Sequence, residues 1–308
     1  MEENTKIFKI GSVIFEHPIL NASGCWTETK EQITQLKNTS LSAVVSKTCS
    51  IFSKKGNPER NYYKLENENI HFNSKGLPNQ GYSYYKDISN NFDNKPFILS
   101  IAYDLEENMA LILKDYDKSI SETKLVEINM SCPNIEKKIP GYHLILMQKL
   151  IIFIFKLKLK NIEFGLKLPP YFEIDMMNNI VECLNETYDI CYCGFNPIKY
   201  IVLSNSIPNV FPLLNGSPVL ANFYGGLSGK MNKYIAIGNV HIFSQSLNKN
   251  IKIIGCGGIE TVEDIEDYLN CGAHFVQIGS CFYEESTNNL NIEKINTLIH
   301  FFKNPNLR

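Results

Sequence analysis

"LVEINMSCPN", Leu125 to Asn134, is an apolar run that ends abruptly in a cysteine, a proline and a final asparagine. A short apolar run closed by turn residues reads as a buried strand. A lone cysteine beside a loop is ordinarily a small hydrophobe, so the thiol gains meaning only if its setting recurs. It does recur. Earlier in the chain stand "PILNASG" (18–24), "AVVSKTCS" (43–50) and "PFILSIA" (96–102); later come "IEFGLKLPP" (162–170), "YIVLSNSIPN" (200–209), "IKIIGCGG" (251–258) and "HFVQIGS" (274–280). Between most of these eight runs lie helical patterns such as "TKEQITQLKN", "EENMALILKDYDK", "YHLILMQKLIIFIFK" and "TVEDIEDYLNCG". Alternating strands and helices imply a parallel sheet, and eight such units close into an α/β fold, a (β/α)8 TIM barrel with function at the C-terminal strand ends.

An open doubly wound sheet would need a GxGxxG turn after an early strand, and none is present. No internal repeat or Pro/Ser-rich linker divides the chain, so residues 1–308 read as a single domain. Phe52 to Asp93 is too long for an ordinary βα loop and is rich in Asn, Tyr and Gly. It is expected, as one of several long loops over the C-terminal face, to cover the site.

Composition narrows the partner. The chain has 308 residues, 44% apolar and 20% charged, with a net charge of −2. Those are globular proportions, with no broad field to hold nucleic acid or an anionic membrane. A small-molecule partner follows. The start, "MEENTKIFKIGSVIF", is too acidic and polar for a signal peptide, and "HLILMQKLIIFIFKLKLK" is interrupted by Gln148, Lys149 and Lys156, so it reads as a helix packed on a core rather than a membrane span. Nine scattered cysteines without a CxxC pair, and six histidines without HxxxH or HExxH spacing, indicate a reducing, cytoplasmic setting with no structural disulfide and no metal.

The strand ends carry a chemically coherent set. In chain order they offer Asn21 and Ser23, Lys47, then Asn129 with Cys132 and Asn134, Lys167, and Asn205 with Ser206. The last two strands end in "GCGG" and "GS". A tight glycine turn is often no more than a turn, but after strands seven and eight of a barrel it is the usual phosphate site. Gly257, Gly258, Gly279 and Ser280 are therefore expected to hold a phosphate, helped by the N-terminus of the helix "TVEDIEDYL". Most lysines are solvated or packed along their stems. Lys47 and Lys167 differ because they lie between apolar neighbours, where an ammonium is costly unless something negative faces it.

These residues resemble the class 1A dihydroorotate dehydrogenases over nearly the whole chain. The matching segments are "NASG" from Asn21, "SKT" from Ser46, "GNPERNYY" from Gly56, "NSKGLPNQGYSYY" from Asn73, "NMSCPN" from Asn129, "GLKLPPYF" from Gly165, "SNSI" from Ser204, "GGLSGK" from Gly225 and "GCGGIET" from Gly255. The resemblance implies an FMN enzyme of pyrimidine biosynthesis, a homodimer, that oxidises dihydroorotate and passes the electrons to fumarate. In that family a base on a mobile loop takes the proton from carbon 5 while a hydride leaves carbon 6 for the flavin. Cys132 is implied as that base, a role a thiol can fill because its ordinary pKa of about 8.5 is within reach of neutral pH and nearby cations lower it.

The same resemblance implies that Lys167 stabilises negative charge on the reduced flavin and that Lys47 touches both flavin and substrate. Asn73, Gly76, Leu77, Asn129, Pro133, Asn134, Asn205 and Ser206 would line the orotate pocket. Ala22, Ser23, Gly24, Thr48, Gly225 and Gly226 would join Lys47, Asn73, Asn129, Lys167 and Ser206 around FMN, with Gly257, Gly258, Gly279 and Ser280 at its phosphate. Four places depart from the family pattern. Lys75 replaces a common Met, Pro208 replaces a common Gly, "PGYHLILM" from Pro140 replaces a more polar segment, and "CYCGF" from Cys191 is an insert whose Cys191 and Cys193 read as incidental. Other readings are a dihydrouracil-type dehydrogenase, a class 1B subunit, or a phosphate-binding barrel without turnover. "NSKGLPNQGYSYY" favours class 1A, and the intact Cys132, Lys47 and Lys167 argue against lost turnover.

Overall fold

All eight apolar runs become strands of one sheet in the computed structural model, which describes residues 7–24, 26–65, 68–132, 138–191, 198–284 and 289–307. The strands are β1 (Ile19–Asn21), β2 (Val44–Val45), β3 (Phe97–Ala102), β4 (Leu125–Asn129), β5 (Glu163–Lys167), β6 (Ile198–Leu203), β7 (Lys252–Cys256) and β8 (Phe275–Ile278). Their order is β1-β8-β7-β6-β5-β4-β3-β2, with every ladder parallel. Each strand is followed by a helix: α1 (Lys30–Lys37), α2 (Tyr82–Asn90), α3 (Glu106–Asp117), α4 (Leu144–Lys156), α5 (Ile174–Cys191), α6 (Asn232–Ser246), α7 (Val262–Asn270) and α8 (Ile292–Lys303). This is the expected (β/α)8 barrel.

Alternation along each strand builds two cores. On β4, Val126 and Ile128 face outward into the main cluster with residues of α3 and α4 such as Leu113, Leu150 and Ile154, whereas Leu125 joins an inner cluster with Leu20, Val45, Ile98, Tyr200, Val202, Ile254 and Phe275. Because the helices bury the outer face and the inner cluster fills the lumen, both faces of a strand are apolar. α4 shows how the sequence makes such a helix: Met147, Leu150, Ile151 and Ile154 are buried at helical spacing, while Ile145 on the other side is exposed. The antiparallel hairpin Phe8–Ile10 and Val13–Phe15 closes the N-terminal mouth. Its Ile10 and Phe15 pack into the inner cluster, and the Ser12 amide and hydroxyl donate to Glu163 Oε2 at 2.7 and 2.9 Å.

The seam between β1 and β2 closes differently from the others. β2 has two residues, and the ladders pair it with β3. Across the gap the Ser42 amide donates to the Ile19 carbonyl at 3.1 Å, and the Asn21 side chain bonds both backbone groups of Val45. Asn21 is thus a structural residue and not one of the polar groups that the strand ends offer to a ligand.

The long segment from Phe52 to Asp93 contains the strands Tyr62–Leu65 and Ile70–Asn73 before α2 begins. They join Gly225–Gly229 and Ile207–Val210, from the segment after β6, in a four-stranded antiparallel sheet. Two βα loops therefore build a roof over the C-terminal face, with Asn73 opposite Gly226. Pro208 lies in Ile207–Val210, an edge strand of that sheet, where a missing N–H is tolerated.

Candidate active site

The polar strand ends converge on one hydrogen-bonded floor. The Thr48 hydroxyl lies 3.0 Å from the Ser23 hydroxyl and 2.9 Å from that of Ser100, and receives the Asn129 amide at 3.4 Å. Asn129 Oδ1 in turn accepts from the Ser131 N–H at 3.0 Å and from Asn205 Nδ2 at 3.3 Å. Asn205 Oδ1 accepts from the Ser206 N–H at 2.8 Å, just beyond the cis peptide that links Leu203 to Ser204. Residues far apart in the chain, from β1, β2, β3, β4 and β6, are thereby held in one layer. Short amides and hydroxyls suit this task because each can donate and accept at once.

The two singled-out lysines flank this floor. Lys47 is buried and its Nζ donates to the Gly24 carbonyl at 3.3 Å. Lys167 is 3% exposed, sits opposite Asn129 in the β4–β5 register, and donates to Gln277 Oε1 at 3.1 Å. Gln277 Nε2 then donates to Glu127 Oε2 at 2.6 Å. Among the described residues no carboxylate forms a salt bridge with Lys167.

Cys132 is a free, partly buried thiol at the edge of this floor. Burial pushes its pKa up, and the charges of Lys54 and Lys47 pull it back only in part. The sequence reading expected cations to favour the thiolate; they are there, but desolvation outweighs them. Pro133 and Asn134 lie outside the described residues, as does Cys193.

Glycines let the backbone segments approach one another around the floor. A Cβ on Gly226 would stand 2.5 Å from Ser206 Oγ, and one on Gly225 would stand 2.6 Å from the Asn73 carbonyl oxygen. The Asn73 amide reaches the Gly226 carbonyl at 3.5 Å. At the end of β7, Gly257 and Gly258 have φ of 137° and 62°, which favour glycine, and their positions lie against Asn232 and Lys233 at the start of α6. Gly279 stands against Ala22 and precedes the short 3₁₀ turn Ser280–Phe282, so the ends of β1, β7 and β8 meet as expected. Gly24 faces open space.

The N-terminus of α7 is not open to a ligand as expected. Thr261 and Asp264 form a capping box, with Asp264 Oδ2 accepting from the Glu260 and Thr261 amides at 2.8 and 3.0 Å, and Lys233 pairs with the same carboxylate. The helix supplies its own anion. Its dipole is therefore engaged before any phosphate arrives.

A family model described as Dihydroorotate dehydrogenase matches residues 6–299. The chain belongs to the dihydroorotate dehydrogenase family. It is 32% identical over 284 residues to the putative dihydroorotate dehydrogenase A (fumarate) of Streptococcus agalactiae, covering 90% of this chain and 87% of that protein. It is 34% identical, with the same coverage, to the protein of that name from Streptococcus equi subsp. equi. The dihydroorotate dehydrogenase (fumarate) of Lachancea kluyveri is 32% identical over 282 residues, covering 88% and 85% of the two chains. Among solved structures, the Eimeria tenella dihydroorotate dehydrogenase in complex with ferulenol superposes with a TM-score of 0.75 at 15% identity, covering 97% of this chain and 85% of that one. That likeness carries the fold.

In this family member Lys75 is turned onto aromatic rings. Its Nζ lies 5.0 Å from the centre of the Tyr62 ring and 5.8 Å from that of Tyr283. Gly76 and Leu77, next along, both have positive φ, and Asn79 anchors the turn by accepting from Gly81 N–H at 2.9 Å and donating to the Leu77 carbonyl at 2.9 Å. The sequence reading missed four residues: Glu127, Gln277, Lys54 and Asn232. The first two did leave a signal, since each is a polar residue at an inward position of an otherwise apolar strand.

Proposed function

We infer that the family reaction takes place on this floor: the chain oxidises dihydroorotate to orotate in pyrimidine biosynthesis, with fumarate as the electron acceptor and FMN as the cofactor. The observation that carries this reading is the layer in which Thr48, Asn129 and Asn205 are bonded together between the buried ammonium groups of Lys47 and Lys167, with the Cys132 thiol within the field of Lys47. Two buried cations suit an anionic, electron-rich ligand. The partly exposed backbone at Gly24 and Gly279, where a Cβ would meet open space or only the Ala22 methyl, leaves room for a ligand beside these polar groups, so the donor set fits FMN.

When bound, FMN supplies the hydride acceptor. Cys132, as thiolate, takes the proton from carbon 5 of the substrate. Asn73, Asn129, Asn205 and Ser206, with Lys47, Gly76, Leu77, Pro133 and Asn134, would bind and orient the carboxylate and carbonyl edges of the substrate. Lys167 would supply positive charge beside the flavin. Ala22, Ser23, Gly24, Thr48, Gly225 and Gly226 border the cofactor, and the backbone of Gly257, Gly258, Gly279 and Ser280 holds its phosphate.

Residues 1–308 act as one FMN-binding domain and pair as a homodimer in the cytoplasm. An exposed apolar patch supports pairing: Phe211, Leu213, Leu214, Phe223 and Tyr224 lie at the surface, with the Phe211 and Tyr224 rings 5.3 Å apart. No helix among the described residues is long and apolar enough to cross a membrane. The test is visible by eye. Protein reconstituted with FMN should be yellow, bleach anaerobically with dihydroorotate, and recover its colour with fumarate; protein that cannot retain FMN, or stays yellow with dihydroorotate, refutes the reading.

A further inference from the structure

Beneath the floor lies an ionisable group that the reaction above does not use. Glu127 is fully buried on β4 and points into the lumen, one inward position below Asn129. Its Oε2 accepts from Gln277, whose Oε1 accepts from Lys167. Its Oε1 has no hydrogen-bond partner among the described residues. The orientation of the Gln277 amide is forced: an ammonium can only donate, so the amide oxygen must face Lys167 and its NH₂ must face Glu127. Glu127 therefore meets that NH₂ as an acceptor, as a carboxylate does. A buried cation needs a counter-charge, and among the described residues Glu127 offers one a single amide away.

Among the described residues, Tyr200 and Cys256 also line this part of the lumen. Burial first, and then the charge of Glu127, hold the Tyr200 phenol well above its ordinary value, so it carries no charge there.

We propose that Glu127 is the positioning residue for Lys167: through Gln277 it aims the ammonium, supplies its counter-charge, and so sets how positive a potential Lys167 presents to the bound flavin. The proposal rests on the reading that FMN sits on this floor. It gives the direction of each effect. With the carboxylate in place, part of the positive potential at the ring is offset. Removing the negative charge while keeping the shape leaves Lys167 stronger against the ring, which favours the anionic reduced flavin over the neutral oxidised one.

The test compares wild type with Glu127→Gln as FMN holoproteins, by equilibration with redox dyes. The midpoint potential of the variant should rise by about 30 mV or more, which is tenfold in the two-electron equilibrium, and Glu127→Asp should lie nearer to wild type. An unchanged potential in a variant that retains FMN overturns the proposal, because a merely structural glutamate would alter stability without moving the potential. A second measurement uses the apoprotein and needs no flavin: NMR of carbon-13-labelled lysine, with the Lys167 signal assigned from Lys167→Arg. Loss of the counter-charge in Glu127→Gln should displace the Lys167 side-chain signal from its wild-type position. Should that variant not fold, Gln277→Leu breaks the same link and should move Lys167 in the same direction; an unmoved Lys167 overturns the proposal. Wild type that takes up no FMN while Lys167 still responds to Glu127 would refute the cofactor reading and leave the Glu127–Lys167 link standing.

Discussion

Asn21 on β1 takes the place of a strand ladder by bonding both backbone groups of Val45 on β2, its Nδ2 donating to the Val45 carbonyl and its Oδ1 accepting from the Val45 N–H, each at 2.9 Å. One planar amide thus does for the seam what a paired peptide group does elsewhere in the barrel. Both partners are buried. Asn21→Ala leaves a buried donor and a buried acceptor unpaired, which costs about 2–4 kcal/mol for the two together. Urea unfolding should show a clearly lowered midpoint at unchanged slope. An unmoved midpoint would mean that the seam is held elsewhere.

Gly165 lies opposite Glu127 in the β4–β5 register, and a Cβ there would overlap the Tyr200 ring. Tyr200 fills the lumen and cannot swing out through the barrel wall. Gly165→Ala should therefore destabilise by roughly 1–3 kcal/mol through overpacking, and a thermal melt of the apoprotein would register it. A neutral result would show that the Tyr200 ring has room to move.

Two buried histidines make stability depend on pH. His17 Nε2 donates to the Ser40 carbonyl at 2.7 Å while its Nδ1 accepts from the Ile19 N–H at 3.2 Å, and His71 stands between the Tyr62 hydroxyl at 2.5 Å and Asn69 Oδ1 at 2.7 Å. Each ring is neutral in these settings, and burial pushes each pKa down from 6.5 to about 4. The unfolded chain then binds more protons than the folded one between those values, so stability is complete above about pH 6.5 and is lost as pH falls toward 4, with up to about 3 kcal/mol at stake for each group. Urea midpoints measured from pH 7 to 4 should fall accordingly. A flat profile in that window would exclude the neutral, buried assignment.

Lys75 illustrates a departure from the family pattern that the fold absorbs. With its ammonium over Tyr62 and Tyr283, Lys75→Met removes a cation–π contact worth about 0.5–1 kcal/mol and should leave the KM for dihydroorotate within about threefold, a shift of less than 1 kcal/mol. A tenfold change in KM would place the ammonium at the substrate.

How much of this was legible in the sequence depends on the range over which the physics acts. The strands could be read because a parallel strand is apolar on both faces, so "PFILSIA" and "YIVL" stand out locally. Lys47, Asn129 and Lys167 could be read as strand ends for the same reason. The Lys167–Gln277–Glu127 chain could not, because its links join residues 110 and 150 positions apart. Only the barrel's closure makes Gln277 a neighbour of both. Asn21 was misjudged for a related cause: an amide at a strand end looks the same whether it faces a ligand or a seam. The start of α7 was misjudged because "ETVED" holds both a good anion-binding helix start and the acid that occupies it.

The thiol at the edge of the floor gives the sharpest prediction. If Cys132 is the base, Cys132→Ala should keep its fold and its FMN but reduce bound flavin with dihydroorotate roughly 100-fold more slowly or worse, the usual scale for a positioned base. Cys132→Ser should lie between the two and need higher pH, since a hydroxyl gives up its proton far less readily than a thiol. Burial raises the Cys132 pKa against the pull of Lys54 and Lys47, so the wild-type rate should climb through an alkaline limb as thiolate forms. Lys54 is exposed and contributes charge rather than packing. Removing it in Lys54→Gln takes away one of the two cations that favour thiolate, and the limb should move to higher pH while the plateau rate stays near wild type. Stopped-flow reduction across pH for the four proteins isolates this half-reaction from the acceptor. A Cys132→Ala protein that reduces its flavin at the wild-type rate and with the wild-type profile would make the thiol structural, and a Lys54→Gln limb that stays in place would sever the cation from the base.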